Sequence, residues 1–203
     1  MARIFPGCPF ECYADDGVIH CASKAEAEGV LRALAQRMAQ VGLELHPDKT
    51  RVVYCKDANR KGSFEHEQFS FLGYTFRQRL AKNHRGQFFV GFLPAISNDA
   101  AKAIRRWRIS VHSDKSLEDI ASFVNPIVRG WCNYYGRFYR SWLYRSLRQI
   151  NEYLVGWARR KFKRLRTSAC RAWRWLRGVQ RRAPGCSPTG RSGLPDGWVR
   201  GAG

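Results

Sequence analysis

The spacing of apolar residues changes near Leu93-Pro94, and this change limits the folds that the chain can adopt. Before it, short apolar runs alternate with turn signals, a pattern typical of β-strands. After Ser97-Asn98, apolar residues recur three or four positions apart, which indicates amphipathic helices. We therefore expect an α+β fold in which a mixed segment is followed by a small helical bundle.

The charge changes near the same place. Residues 1–100 carry 13 Lys+Arg against 11 Asp+Glu, a net of +2, whereas residues 101–203 carry 23 against 5, a net of +18. Such a charge predicts a polyanionic partner. The Trp, Tyr and Arg residues around it favour nucleic acid over a membrane surface, because they stack on bases and pair with phosphates. No stretch approaches the ~20 apolar residues of a membrane span.

Seven cysteines are scattered along the chain, and no two of them form a C-x-x-C pair. The odd number and the irregular spacing argue against a zinc site or a disulfide framework. Free thiols are typical of a reducing cytoplasm, and residues 1–10 lack the long apolar run of a signal peptide. The sequence therefore predicts a cytoplasmic location, associated with ribonucleoprotein or nucleoid.

The first ninety-odd residues are predicted to be mixed. Phe10–Ala14 and Val18–Cys21 flank Asp15-Asp16-Gly17, which predicts a β-hairpin. Ser23, followed three residues later by a glutamate, predicts the start of a helix that ends at Gly42. Further strands are expected, in order, at Arg51–Cys55, Gln68–Leu72, Tyr74–Phe76 and Phe88–Phe92.

The later residues are predicted to be helical. The first helix should place three residues on one face: Ile104, Trp107 and Val111. Ser116 should cap the next helix, which Pro126 should end or kink, and a further segment should run to about Tyr139. Ser141 should cap a long helix toward Leu165. Residues 168–203 lose the pattern and end in a stretch rich in Gly, Pro, Ser and Arg, so we expect a basic tail that is disordered or folds only on RNA.

The two adjacent aspartates at the predicted hairpin tip suggest metal chemistry. Carboxylates are the oxygen ligands that Mg²⁺ prefers. In two-metal nucleotidyl transfer, such ions activate an attacking hydroxyl and stabilise the leaving phosphate. Aspartates are also common in turns for conformational reasons, so Asp15 and Asp16 taken alone favour an ordinary solvent-facing turn.

Four motifs in a fixed order favour a metal site over an ordinary turn at Asp15 and Asp16. Tyr13-Ala14-Asp15-Asp16 resembles the active-site hairpin of reverse transcriptases. Residues 42–50, GLELHPDKT, resemble the polymerase motif that follows it, and residues 69–74, FSFLGY, resemble the F-L-G primer-grip segment. Residues 125–135, NPIVRGWCNYY, resemble the signature of the maturase domain, also called domain X or the thumb. Together these motifs resemble a group II intron-encoded reverse transcriptase/maturase, in its C-terminal portion.

The resemblance implies roles for residues of the hairpin. Asp15 would be a Mg²⁺ ligand, and Asp16 would be its less directly coordinating neighbour. Tyr13 would lie near the nucleotide or the primer terminus. Mg²⁺ is thus the implied cofactor, and group II intron RNA is the implied partner, with a DNA target as a further one.

Two other motifs have both a functional and a structural interpretation. Lys49 would lie near the phosphates of the incoming nucleotide, as proton donor to the leaving pyrophosphate, or is a solvated lysine after a turn. Phe71, Leu72 and Gly73 would place the primer strand, or form a buried strand in which the glycine permits a close approach.

The helical part holds the predicted RNA contacts. Arg129 and Asn133 lie four apart, where they would meet RNA or brace neighbouring helices, while Trp131 and Tyr135 should pack inward. A dense basic run with no acid near it favours phosphate contact. Its cationic residues are Arg159, Arg160, Lys161, Lys163, Arg164 and Arg166.

Comparison with the family pattern also indicates that parts of a reverse transcriptase are missing from this sequence. Reverse transcriptases have fingers and an earlier palm motif with another catalytic aspartate, and the few residues before the hairpin supply neither. We expect a partial palm over residues 1–95, a maturase-specific domain over 97–167 and the basic tail over 168–203.

Three functional readings follow from this arrangement. The chain would bind intron RNA and assist its splicing, without polymerase activity of its own. Alternatively, it is an inactive remnant of a mobile element. As a third possibility, it is one half of a split enzyme whose fingers come from a separate chain.

Overall fold

The computed structural model describes residues 5–107 and 114–182. Within these residues the secondary structure is mixed, as an α+β fold requires. The elements are β1 (Phe10–Tyr13), β2 (Asp16–Ile19), α1 (Lys24–Gln40), β3 (Gln68–Phe71), β4 (Tyr74–Lys82), β5 (Phe88–Ile96), α2 (Asn98–Arg106), α3 (Leu117–Tyr135), α4 (Arg140–Lys161), a 3-10 turn (Lys163–Leu165) and α5 (Ala169–Arg182). None of the described helices is long and apolar enough to cross a membrane.

The chain divides into two compact units. The first unit comprises Met1–Phe71 and Phe76–Leu93, and the second comprises Leu72–Thr75 and Pro94–Gly203. The turn between β3 and β4 therefore groups with the helices that follow β5. Val111 and the end of the predicted tail, residues 183–203, lie outside the described residues.

The predicted hairpin is present, with a tighter turn than expected. β1 and β2 pair antiparallel, Phe10 opposite Ile19 and Tyr13 opposite Asp16. The turn is therefore Ala14-Asp15, and the expectation that Asp16 lies in the turn is wrong. Ala14 has a φ of 51°, and a positive φ at the first turn residue matches the twist of a two-residue hairpin.

Helix α1 begins and ends where the sequence predicts. The Ser23 hydroxyl accepts a hydrogen bond from the Glu26 N–H (3.2 Å), and the Glu26 carboxylate accepts one from the Ala22 N–H (2.6 Å). At the other end Gly42 adopts a φ of 72° and donates to the Ala39 carbonyl, which closes the last turn. Of the apolar face of this helix, only Val30 is buried.

The second sheet has three strands in the order β3-β4-β5. The strand predicted at Arg51–Cys55 is absent, since residues 51–57 are irregular. Val52-Val53 have a high β-propensity, but a strand also needs a partner. Here one backbone bond, from the Tyr54 N–H to the His66 carbonyl (2.8 Å), joins the segment to residues before β3.

The core of the second unit forms around α4. Leu143, Leu147, Leu154 and Trp157 recur at helical spacing and are almost fully buried. Helices α2, α3 and α5 contact this helix, and Val124 and Val128 of α3 are completely buried. A stripe of this kind stabilises the bundle because each such side chain removes its apolar surface from water.

Helix α3 is longer than the sequence predicts. It begins at Ser116, whose hydroxyl accepts from the Asp119 N–H (3.0 Å) while the Asp119 carboxylate accepts from the Ser116 N–H (2.9 Å). Pro126 does not end it, and the separate segment expected after the proline is part of the same helix. Pro126 removes one helical donor, but buried Val124 and Val128 on either side hold the backbone in place.

The start of α4 also differs from the prediction. Its N-cap is Tyr139, in a left-handed conformation with a φ of 37°, so Ser141 lies inside the first turn and is not the cap. The connection from α3 is held by Arg140, whose Nε donates to the Gly136 carbonyl (2.8 Å). Helix α4 therefore begins at Arg140, one residue before the serine.

The tail predicted from residue 168 is wrong over its first part, because α5 occupies Ala169–Arg182. Ala172 and Leu176 are buried, and Trp173, Trp175 and Val179 pack against the same core. Because arginines are so frequent in this segment, its amphipathic helical pattern is not apparent from the sequence. Contact with α4 stabilises it, which local composition does not reveal.

Candidate functional site

The tip of the β1–β2 hairpin displays the three residues predicted there. Asp15 is in the turn, Asp16 begins β2, and Tyr13 lies directly opposite Asp16. All three side chains are exposed, Tyr13 at 65%. The hairpin therefore presents two carboxylates and an aromatic ring to whatever binds there.

These carboxylates fit Mg²⁺ as part of a coordination shell. Their oxygens are hard ligands, and Mg²⁺ in nucleotidyl-transfer sites commonly takes one or two protein carboxylates together with phosphates and water. Within residues 5–107 and 114–182, no third Asp, Glu, His or Cys forms a metal-binding cluster with Asp15 and Asp16. The described chain thus offers this metal only two adjacent ligands.

Lys49 lies in a turn after α1. The turn closes with a hydrogen bond from the Thr50 N–H to the His46 carbonyl (2.9 Å), and the Lys49 side chain is exposed. Among the described contacts, no hydrogen bond or ion pair joins Lys49 to Asp15 or Asp16. Its predicted role at the nucleotide phosphates stays a prediction.

The segment that resembles a primer grip forms a strained turn. Leu72 and Gly73 connect β3 to β4, with φ values of 48° and 75°. Two successive positive φ angles suit a two-residue hairpin turn, but a leucine in this region is unfavourable by about 1–2 kcal/mol. Other contacts must therefore hold the turn, and Phe71 before it is half-buried.

Tyrosines of α3 supply those contacts. The Tyr134 hydroxyl donates to the Leu72 carbonyl (2.9 Å), and the Tyr74 hydroxyl donates to the Tyr134 carbonyl. The Ser97 N–H donates to the Gly73 carbonyl (2.8 Å). The tyrosines at the end of the maturase-like motif thus bind the primer-grip-like turn within one compact unit.

Burial accompanies this contact. Tyr74 is buried, and its ring lies 5.3 Å from that of Tyr134 and 5.6 Å from that of Tyr135. Burial raises the pKa of the Tyr74 and Tyr135 hydroxyls, with smaller contributions from neighbouring tyrosines. Both hydroxyls therefore remain protonated at neutral pH, so Tyr74 can donate to the Tyr134 carbonyl.

The two polar residues predicted on α3 face outward. Arg129 and Asn133 are exposed, while Trp131 and Tyr135 pack against the core, as predicted. Asn133 lines a cleft of about 350 Å³ where α3 meets α4, together with the side chains of Arg137 and Arg140. Two cations and an amide around one cleft suit a phosphate or a base edge.

The basic run divides into two groups. Arg159 donates to the Arg166 carbonyl (Nη2, 3.1 Å), and the Lys161 ammonium donates to the carbonyls of Asp114 (3.2 Å) and Lys115. These two cations brace the end of α4. The exposed cations of the run are Arg160, Lys163, Arg164 and Arg166.

Two family models match the sequence in chain order. The group II intron maturase-specific domain matches residues 98–177, and the reverse transcriptase (RNA-dependent DNA polymerase) domain matches residues 1–76. The chain belongs to the group II intron-encoded reverse transcriptase/maturase family. A comparison with curated proteins gave no match.

The maturase-specific match extends beyond the basic run into α5, which sequence reasoning missed. Exposed arginines recur along this helix three or four positions apart, at Arg171, Arg174, Arg177 and Arg181. The opposite face holds Ala172 and Leu176. The spacing of apolar and basic residues in the sequence could have predicted this amphipathic helix. The high arginine content made the segment look like a polar tail instead. Helix α5 thus adds a second group of exposed cations to the helical unit.

Proposed function

We propose that this reverse transcriptase/maturase binds group II intron RNA through its helical unit and assists splicing by stabilising the folded RNA. The observation that supports this most directly is that the helical unit has a packed apolar core and carries exposed basic side chains on its surface. Around the buried stripe of α4, exposed arginines and lysines follow the 160–166 segment and α5. A rigid cationic surface positions phosphates, whereas base contacts give sequence preference.

The cleft beside Asn133 is the proposed place for such preference. Its amide can both donate and accept a hydrogen bond, so it can read a base edge, while Arg137 and Arg140 would hold an adjacent phosphate. The exposed arginines of α5 would add affinity without selectivity.

The test is a salt titration of RNA binding with the full chain. Replacing Arg160, Lys163 and Arg164 together by Gln should lower the slope of log K against log [salt] by roughly 2–3, at about 0.7–0.9 for each lost phosphate contact. The matched control removes three exposed cations of the first unit (R32Q, K61Q and R85Q), with the same charge change. If the salt slope decreased equally in both variants, net charge alone would explain the effect, and the 160–166 segment would not be the RNA-binding surface.

Selectivity needs a separate measurement. Intron RNA should bind more tightly than a scrambled RNA of equal length at physiological salt, and N133A should narrow that difference. Equal affinity for both RNAs would contradict a maturase role. Stimulated splicing by the full chain is the functional readout, and a DNA target is a further proposed partner.

We propose that the 203-residue chain alone does not polymerise DNA. Two-metal transfer needs carboxylates that hold ions about 3.5–4 Å apart, and the described residues bring only Asp15 and Asp16 to the hairpin tip. A primer-extension assay on an RNA template with Mg²⁺ should give no product. Extension that D15N abolishes would refute this proposal.

A split enzyme is the second proposal. Large apolar side chains of the first unit are exposed, among them Phe10, Tyr13, Leu80, Phe88 and Phe89. Exposed apolar surface of this kind suits a protein partner. A chain carrying fingers and the first palm motif should restore extension dependent on Asp15. If the protein is instead an inactive remnant, it should aggregate, show no cooperative melt and gain nothing from such a chain.

A further inference from the structure

A cluster of metal-binding side chains lies at the base of the hairpin, at the end away from Asp15 and Asp16. Cys8 precedes β1, Cys21 follows β2, and Glu26 is in the first turn of α1. One ligand atom of each lies within 4.8 Å of the other two. Cys8 is buried and the other two residues are half-buried, so the three ligand atoms converge partly beneath the surface.

Other contacts already fix these three residues in place. The Cys8 N–H donates to the Phe5 carbonyl (3.1 Å), and the Glu26 carboxylate accepts from the Ala22 N–H (2.6 Å). The His20 N–H donates to the Pro9 carbonyl (2.8 Å), which closes the hairpin just before Cys21. The backbone around each ligand is thus held by hydrogen bonds before any ion binds.

We propose that Cys8, Cys21 and Glu26 bind a thiolate-preferring divalent cation, with Zn²⁺ as the best fit. Two sulfur ligands and one carboxylate oxygen match the donors that Zn²⁺ takes, and they disfavour Mg²⁺, which needs oxygen ligands. With three protein ligands, the fourth tetrahedral position is left for water. The site is separate from the proposed Mg²⁺ ligands and independent of the proposed RNA binding.

Binding requires both thiols to lose their protons to solvent. The two thiolates and the Glu26 carboxylate would then bring three negative charges into one cluster, and a divalent ion would offset that charge.

The sequence conceals this site because its ligands are far apart. Cys8 and Cys21 are thirteen residues apart, and Glu26 follows five residues later, so no C-x-x-C spacing marks them. The hairpin brings its two ends together, and the first turn of α1 adds the carboxylate. A bound ion would join both strand ends to this helix and so fix the base of the element that carries Asp15.

The test is a cobalt titration of the full chain, reduced and freed of metal by a chelator. One equivalent of Co²⁺ should give thiolate-to-cobalt charge-transfer absorption, and one equivalent of Zn²⁺ should abolish it. C21S should lose this absorption, and E26Q should shift the titration to higher cobalt. C12S and C170S are the matched controls, because these cysteines are exposed and lie outside the cluster.

A second readout needs no substitution. Zn²⁺ should slow alkylation of half-buried Cys21 in the wild-type chain, with no effect on exposed Cys12, as followed by mass spectrometry. Three outcomes would each overturn the proposal. They are the absence of a charge-transfer band, a band that C21S leaves intact, and an alkylation rate at Cys21 that is the same with and without Zn²⁺.

Discussion

Replacing Gly73 with alanine tests how the Leu72-Gly73 turn is held. Gly73 has a φ of 75°, where an L-residue is strained. A methyl group there would also lie 2.8 Å from the Tyr135 hydroxyl oxygen and 3.2 Å from its Cε1. The Tyr135 ring cannot move away freely, because it packs against Tyr74 and Tyr134 at 5.6 Å and 4.9 Å.

The two effects can be added. The left-handed conformation costs an alanine about 1–2 kcal/mol, and overpacking a well-packed contact costs about 1–3 kcal/mol. G73A should therefore lower the free energy of unfolding by about 2–5 kcal/mol. Removing the hydroxyl in G73A/Y135F relieves the shortest contact, so the two substitutions should couple favourably by about 0.5–3 kcal/mol.

Urea unfolding followed by tryptophan fluorescence measures this. All seven tryptophans follow Ile96 in the sequence, so the signal reports on the second unit. The control is G130A in α3, where an added methyl group meets nothing within 4 Å and should stabilise the helix by about 0.5–1 kcal/mol. A G73A variant as stable as the wild type, or one that Y135F does not rescue, would refute the reasoning.

Three further predictions concern the helices. S116A should cost about 1 kcal/mol in urea unfolding, because it removes the acceptor for the Asp119 N–H. The Ser116 backbone N–H, then its hydroxyl, lowers the pKa of Asp119, so this carboxylate stabilises the fold above its unfolded pKa of about 3.9. That stability is lost as pH falls through the lower folded pKa, and D119N should remove this part of the acid dependence of stability. L154A, at a fully buried position, should cost about 2–5 kcal/mol, whereas L43A, at an exposed one, should stay within about 0.5 kcal/mol.

The sequence predicted what local chemistry decides. Ser23 and Ser116 cap helices because a side-chain oxygen satisfies a nearby N–H, and Gly42 ends α1 because it tolerates a positive φ. The apolar stripe of α4 follows from the helical period alone. These features need no information from distant parts of the chain.

The candidate site was predictable to a similar degree. Tyr13, Asp15 and Asp16 stand at a hairpin tip as their motif predicts, and the order of the four motifs indicated the family that the comparisons show. The roles of individual residues, and the absence of polymerase activity, remain predictions. Both depend on contacts with a bound nucleic acid and with metal ions, and the sequence of one segment does not determine such contacts.

Tertiary contacts decided the rest. No strand forms at Arg51–Cys55, because in the described residues a single backbone bond, from Tyr54 to His66, joins it to the segment before β3. Helix α5 forms where a tail was expected because Leu176 reaches the core, and α3 continues through Pro126 between buried valines. By itself, the sequence determined the local start and end signals, the charge and the family motifs. Only the tertiary structure decided that tyrosines of α3 hold the Leu72-Gly73 turn and that Cys8, Cys21 and Glu26 converge, because such contacts join residues distant in the chain.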